Sequence, residues 1–97
     1  MSIAQIQNEI ITEISEMKGD VEMILLYIVN AGKILPLMPQ EFKTEANIVK
    51  GCHSKIWLAA LNRQEVMHFY ADSDTIISKG LAGLLIRILN GQPREEI

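Results

Sequence analysis

Apolar residues in the first third of the chain recur at every third or fourth position. Ile3, Ile6, Ile10, Ile14 and Met17 draw one stripe along a helix. Ser2 and Gln5 stand at capping-box spacing at its start, and Gly19 closes it in a left-handed conformation. Gln7, Glu9, Glu13, Glu16 and Lys18 make the opposite, solvated face. Asp20 caps a second helix over residues 20–31, with Val21, Ile24, Leu25, Ile28 and Val29 apolar and Gly32 as its end. The short link predicts antiparallel neighbours. In residues 32–39 the prolines Pro36 and Pro39 bias Leu35 and Met38 towards extended backbone. A stiff apolar segment of this kind packs under another element or serves as a docking surface.

Beyond it the period changes. Residues 40–50 are polar and read as loop, with a turn of helix near Glu41 and a candidate third strand at 46–49. Residues 56–61 are apolar on both faces, with Ile56, Leu58 and Ala60 on one and Trp57, Ala59 and Leu61 on the other. That pattern predicts a strand covered on both sides. A turn at 62–65 leads into a second strand over 66–71. Asp72, Ser73 and Asp74 form a helix-start signal, their side chains suited to the first free N–H groups. A helix follows over 75–90 on Ile76, Ile77, Leu81, Leu84, Leu85 and Ile88. Gly80 and Gly83 each weaken it by about 1 kcal/mol relative to alanine, which points to a close approach by another element. Gly91 ends it, and Pro93 stands where a further helix would open. One turn is too short to stand alone, so that last segment reads as the start of a longer helix. The order gives an α+β fold with a small antiparallel sheet of two or three strands flanked by helices.

Composition narrows the class. The 97 residues form a single domain, and 48% hydrophobic with 22% charged residues excludes a disordered chain. A net charge of −3 gives no basic footprint for nucleic acid. The apolar run at 23–29 is far short of the ~20 residues that span a bilayer. The N-terminus lacks the basic head and apolar run of a signal peptide. One cysteine makes neither an internal disulfide nor a multi-thiolate metal site. Together these predict a reduced thiol in the cytoplasm.

That thiol, Cys52, follows Gly51 and lies between Lys50 and Lys55, just ahead of the first strand. On composition alone a lone cysteine is more often an inert buried hydrophobe. Thiol exchange requires a thiolate fraction and access, and Lys50, Lys55 and His53 are cations or potential cations that favour the thiolate. Gly51 removes a side chain beside the nucleophile. His53 would point to the opposite face of a strand from Cys52, so it is not a direct activator. His68 reads as a sheet-surface residue. A zinc site would need Asp72 or Asp74 beside the two histidines and Cys52, and is disfavoured. Lys43, Arg63, Lys79 and Arg87 read as solvated charges.

Four segments together carry a resemblance: Gly32-Lys33-x-Leu35-Pro36-x-x-Pro39, Asn47-x-Val49-x-Gly51-Cys52-x-Ser54-x-x-Trp57-Leu58, Ala71-Asp72-Ser73-Asp74 and Lys79-Gly80-Leu81. In that order and spacing, from about Tyr27 to Ile97, the chain resembles the SufE family of sulfur acceptors. The resemblance implies a curved antiparallel sheet flanked by helices, close to the IscU-type scaffolds. It implies Cys52 as the residue that becomes a persulfide, supported by Lys50, Gly51, His53, Ser54 and Lys55. The implied partner is a SufS-type cysteine desulfurase, stimulated when its sulfur is taken, with an iron–sulfur scaffold downstream. No cofactor is implied for this chain: it has no phosphate-cradling glycine loop for pyridoxal phosphate, and no metal. The chain would be a sulfur-transfer accessory rather than a stand-alone enzyme. Ile34, Leu35, Pro36, Leu37 and Met38 are candidates for a cover over the persulfide, and Asp72 and Asp74 for contact with the partner. Residues 1–97 are then a single SufE-like domain without the family's C-terminal helices. The family's tryptophan-aromatic start to the second helix is replaced by Asp20-Val21-Glu22-Met23. A binding module of the same fold that docks without accepting sulfur is the alternative. A cluster scaffold is disfavoured, because cluster ligation takes several thiolates. Oligomeric state is left open by the sequence.

Overall fold

The computed structural model describes residues 1–51 and 53–97. Ser2 Oγ accepts from Gln5 N at 3.1 Å while Gln5 Oε1 accepts from Ser2 N at 2.8 Å, closing the capping box of α1 (Ile3–Ser15). Ile10 is buried and the other members of the stripe are half-buried, so the periodic face is the packed one. Gly19 takes a φ of +76° after α1. Asp20 Oδ1 then accepts from Met23 N at 3.2 Å and starts α2 (Val21–Lys33).

Gly32 does not end α2; it lies buried within the helix. The reason is its contact with α3 (Ile76–Leu89). A Cβ on Gly32 would stand 2.9 Å from Gly80 N, and one on Gly80 or Gly83 would overlap the carbonyl oxygen of Ile28 or Ala31. The two helices meet backbone to backbone, the close approach that the helix-weakening glycines predicted.

The sheet has two antiparallel strands, β1 (Ile56–Arg63) and β2 (Val66–Ser73), in register from Ile56 opposite Ser73 to Arg63 opposite Val66. The fold is α+β, as expected. The hairpin turn is tighter than the 62–65 segment predicted, with only Gln64 and Glu65 between the strands. Both have positive φ, +54° and +66°, the geometry of a type I′ turn. Glu65 N donates to Asn62 Oδ1 at 3.1 Å, so the side chain before the turn supports it.

Both sheet edges depart from expectation. The candidate third strand at 46–49 reduces to one bridge, Ile48 opposite Trp57, because Glu45–Asn47 curls into a 3-10 turn. At the other edge, Pro93 bridges Val66, and Met67 N donates to Gln92 O at 2.9 Å. The predicted terminal helix is therefore an edge segment followed by a 3-10 turn, Arg94–Glu96. Gln92 is buried and its Nε2 donates to Met1 O at 3.0 Å, tying the end of the chain to its beginning. The helix-start reading of 72–74 also fails: Asp72 and Ser73 belong to β2, and Thr75 is the N-cap of α3 without a side-chain capping bond.

The two faces of the hairpin differ. Trp57, Ala59 and Leu61 share the face where Phe42, on the 3-10 turn Gln40–Phe42, stacks on Tyr70 at a centroid distance of 5.7 Å. Ile56 and Leu58 face α3, which covers them incompletely, and Leu58 remains 38% exposed. Cover on both sides was expected and is not found among the described residues. The buried apolar core there is small: Ile10, Met38, Ala59, Ala71 and Ile86. No described helix is long and apolar enough to cross a membrane.

Because the Gly80 contact is with backbone, the neighbour cannot rotate away as a side chain would. Gly80→Ala recovers about 1 kcal/mol of helix propensity but overpacks the crossing, and a net loss of about 1–3 kcal/mol is expected in urea unfolding. An unchanged or raised midpoint would show that the crossing relaxes.

Candidate functional site

Cys52, the predicted acceptor thiol, lies outside the described residues, and the site is built from what flanks it. On the entry side, Ile48 bridges Trp57 and Val49 N donates to Ile56 O at 2.9 Å. On the exit side, Lys55 N donates to Asp74 Oδ1 at 3.0 Å, and Lys55 O accepts from Ser73 Oγ at 3.0 Å and from Asp74 N at 3.1 Å. One residue nearer the cysteine, Ser54 Oγ accepts from Thr75 Oγ1 at 2.9 Å and from Ser78 Oγ at 3.0 Å. The stem is thus clamped to the β2–α3 junction by Thr75 and Ser78 and by Ser73 and Asp74, the last two of which the capping reading assigned to the helix.

Gly51 has a φ of +86°, and a Cβ there would meet nothing within 4 Å. Its backbone conformation, rather than crowding within the chain, is what calls for glycine. Lys50, His53 and Lys55 are exposed. Lys55 Nζ lies 5.7 Å from the Trp57 ring centroid and Lys43 Nζ 5.5 Å, so the indole carries two cations.

Asp72 lies opposite Trp57 in the register. Its carboxylate pairs with Lys43 at 2.6 Å and Lys79 at 3.4 Å. Burial pushes its pKa up, but the Lys43 hydrogen bond, the Ser73 N–H and the charge of Lys79 outweigh that and hold it below the usual carboxylate range. Lys43 and Lys79 are therefore not the free solvated charges expected. Neither is Arg87, which bonds Glu9 at 2.8 Å and Glu13 at 2.9 Å and donates to Tyr27 Oη at 3.1 Å. Tyr27 Oη in turn donates to Glu13 at 2.6 Å. The Arg87 and Tyr27 hydrogen bonds lower the Glu13 pKa. Burial, then the Glu13 bond, raises that of Tyr27. These partners lie on other elements, and no short-range spacing announces them. Of the four charges read as solvated, Arg63 is exposed.

Between the sheet and α3 runs an open apolar groove of about 450 Å³. Val49 and Ile56, at the two stems of the cysteine loop, line one part of it. Leu58 and Phe69 form the sheet wall, and Leu81 and Leu85 the α3 wall. Leu81 and Leu85 sit one helical turn apart and read in sequence as an ordinary packed stripe, yet both are more than half exposed, 53% each. Ile34, Leu35, Pro36, Leu37 and Met38 do not line it. Ile34 and Leu37 stand in solvent, 80% and 87% exposed, while Met38 is buried. His68 lies opposite Leu61, towards the turn end of the hairpin and away from the loop. Among the described residues no group of three metal-ligating side chains comes together.

A small α+β domain with a glycine-led loop clamped beside an apolar groove defines a class before it defines a family. The family follows from comparison: the model described as "SufE: Fe-S metabolism associated domain" matches residues 8–97, and the chain belongs to the SufE family. It is 40% identical to SufE-like protein 1, chloroplastic/mitochondrial, of Arabidopsis thaliana, over 87% of this chain and 22% of that protein. It is 32% identical to the sulfur acceptor protein CsdE of Escherichia coli (strain K12), over 72% of this chain and 48% of that protein. It is also 40% identical to the chloroplastic quinolinate synthase of Arabidopsis thaliana, over 79% of this chain but only 11% of that protein. The chain spans half or less of each of these relatives.

The Asp72 cluster gives a test with a definite sign. A folded-state pKa below the unfolded value stabilises at pH above the unfolded value and is lost as pH falls through the folded one. Asp72→Asn is expected to cost about 1–2 kcal/mol at pH 7, measured by denaturant unfolding. The gap from the parent should close as pH drops below about 4. A gap independent of pH would show that the charge of Asp72 is not what stabilises the junction.

Proposed function

We propose that this chain accepts persulfide sulfur from a cysteine desulfurase onto Cys52, stimulates that enzyme by doing so, and supplies sulfur for iron–sulfur cluster assembly. The observation that carries the reading is the loop around residue 52: glycine-led, clamped at both stems, and set in a SufE-family chain. The Escherichia coli relative, named a sulfur acceptor protein, supports the same role.

In the proposed step the Cys52 thiolate attacks the outer sulfur of the desulfurase's cysteine persulfide. A sulfur–sulfur bond forms to Cys52 as the enzyme's own sulfur–sulfur bond breaks. The enzyme's cysteine leaves as a thiolate, and the persulfide proton stays with the transferred sulfur or goes to solvent. No net oxidant is needed, because the sulfane sulfur moves at constant oxidation state. Lys50 and Lys55, exposed around the loop, supply positive charge that favours the attacking thiolate. Asp72, neutralised by Lys43 and Lys79, does not oppose it with a free negative charge.

Incubation with a SufS-type desulfurase and cysteine, followed by intact-mass measurement, tests the transfer. A gain of about 32 Da per sulfur, lost on reduction and absent in Cys52→Ser, is expected. If Cys52→Ser stimulates the desulfurase as well as the parent does and the parent gains no mass, the chain is a docking module rather than an acceptor.

A further inference from the structure

Two hydroxyls on the first turn of α3 and its N-cap have no capping duty. Thr75 is the N-cap yet makes no side-chain capping bond, and Ser78 sits one turn in. Instead Thr75 Oγ1 and Ser78 Oγ both donate to Ser54 Oγ, at 2.9 and 3.0 Å, across 21 and 24 residues of sequence. An N-cap hydroxyl ordinarily takes a free N–H of its own helix. Here that bond is given up for a tie to a loop residue two positions after Cys52.

The other exit-stem bonds hold Lys55 through its own backbone groups. Ser54 is the described residue nearest the cysteine on that side to be held by its side chain. Ser78 also lines the apolar groove between Val49 and Ile56 on one side and Leu81 on the other. The hydroxyl cluster thus joins the loop, the groove and α3 at one point. Because Ser54 and Ser78 are half-buried, water replaces the bond between them less readily than on an open surface.

We propose that Thr75 and Ser78 are positioning residues for sulfur transfer, acting through Ser54 to fix the exit limb of the Cys52 loop on α3. This rests on the acceptor reading above. Removing both hydroxyls leaves the Lys55 anchors in place and frees the limb one residue closer to the thiol. The loop then samples more conformations, so in-line attack on a bulky protein persulfide slows, while a small reagent reaches the thiol more easily.

The test compares the parent, Thr75→Ala/Ser78→Ala, Ser54→Ala and the conservative Ser78→Thr. At saturating desulfurase, sulfur uptake in the double variant and in Ser54→Ala should fall roughly three- to tenfold. The concentration of desulfurase giving half-maximal rate should be unchanged, and the variants, though they melt a few degrees lower, should be fully folded at the assay temperature. Amide exchange at 50–54 should rise while that of β1, β2 and the later turns of α3 does not, and Ser78→Thr should behave as the parent. Uptake at the parent rate in the double variant overturns the proposal. So does a loss that merely tracks a lower melting temperature. If the parent takes no sulfur at all, the acceptor reading fails by itself. Alkylation of Cys52 by iodoacetamide, which needs no desulfurase, then decides whether the hydroxyls govern the loop: a faster rate in the double variant retains that positioning, and equal rates overturn it.

Discussion

Where α2 crosses α3, Gly32, Gly80 and Gly83 bring backbone against backbone, with the carbonyls of Ile28 and Ala31 pressed on the glycine positions. Side chains of ordinary size would hold two helices 8–10 Å apart, and these glycines remove that spacer. The exit stem, the groove and the charged cluster are all referred to α3 placed this way. Its N-terminal turn receives the exit stem of the cysteine loop through Thr75 and Ser78. Its exposed side, with Leu81 and Leu85, is one wall of the groove. Its Arg87 collects Glu9 and Glu13 of α1 and Tyr27 of α2 into one charged cluster. A helix held by flexible side chains would carry the same groups with less certain placement.

The charged clusters matter more here than in a larger domain because little apolar surface is fully buried. Among the described apolar side chains only Ile10, Met38, Ala59, Ala71 and Ile86 are buried, and two of these are alanines. Short chains bury a smaller fraction of their surface. Half-exposed ion pairs contribute modestly when isolated, and more when several charges share partners. Asp72 between two lysines and Arg87 among two carboxylates and a phenol are both shared arrangements. They lock the elements around the groove while leaving its apolar walls open.

Legibility in the sequence followed the range of the interactions. Ser2 with Gln5, and Asp20 with Met23, are three residues apart, and both caps form as spacing predicts. The hairpin was visible from its apolar runs, but its two-residue turn was not. Gln64 and Glu65 lack the Asn-Gly signature of a type I′ turn, and Asn62 outside the turn supplies the support. Gly32 looked like a helix end because glycine usually is one; its partner at Gly80 is remote in sequence. Pro93 looked like a helix start, and Val66 across the sheet edge claimed it instead. For Gly32 and Pro93 a tertiary contact overrode a local signal that was correctly read.

The loop shows the same principle at the site itself. Asp72, Ser73 and Asp74 carry the composition of a cap, and on local grounds nothing else was needed to explain them. Yet Ser73 and Asp74 close on Lys55, and Thr75 and Ser78 close on Ser54, across 18 to 24 residues. The Ser54-Lys55 segment and the Ser73-Asp74-Thr75 segment with Ser78 are therefore not two motifs that happen to share a chain. They are two halves of one clamp, with the hairpin as the spacer that brings them into register. The hairpin strands must then keep their lengths matched, since sliding β1 against β2 by one residue would turn Ile56 and Leu58 away from the groove and detach Lys55 from Asp74 together. The register of a two-stranded sheet is thus a constraint on the anchoring of a segment that belongs to neither strand.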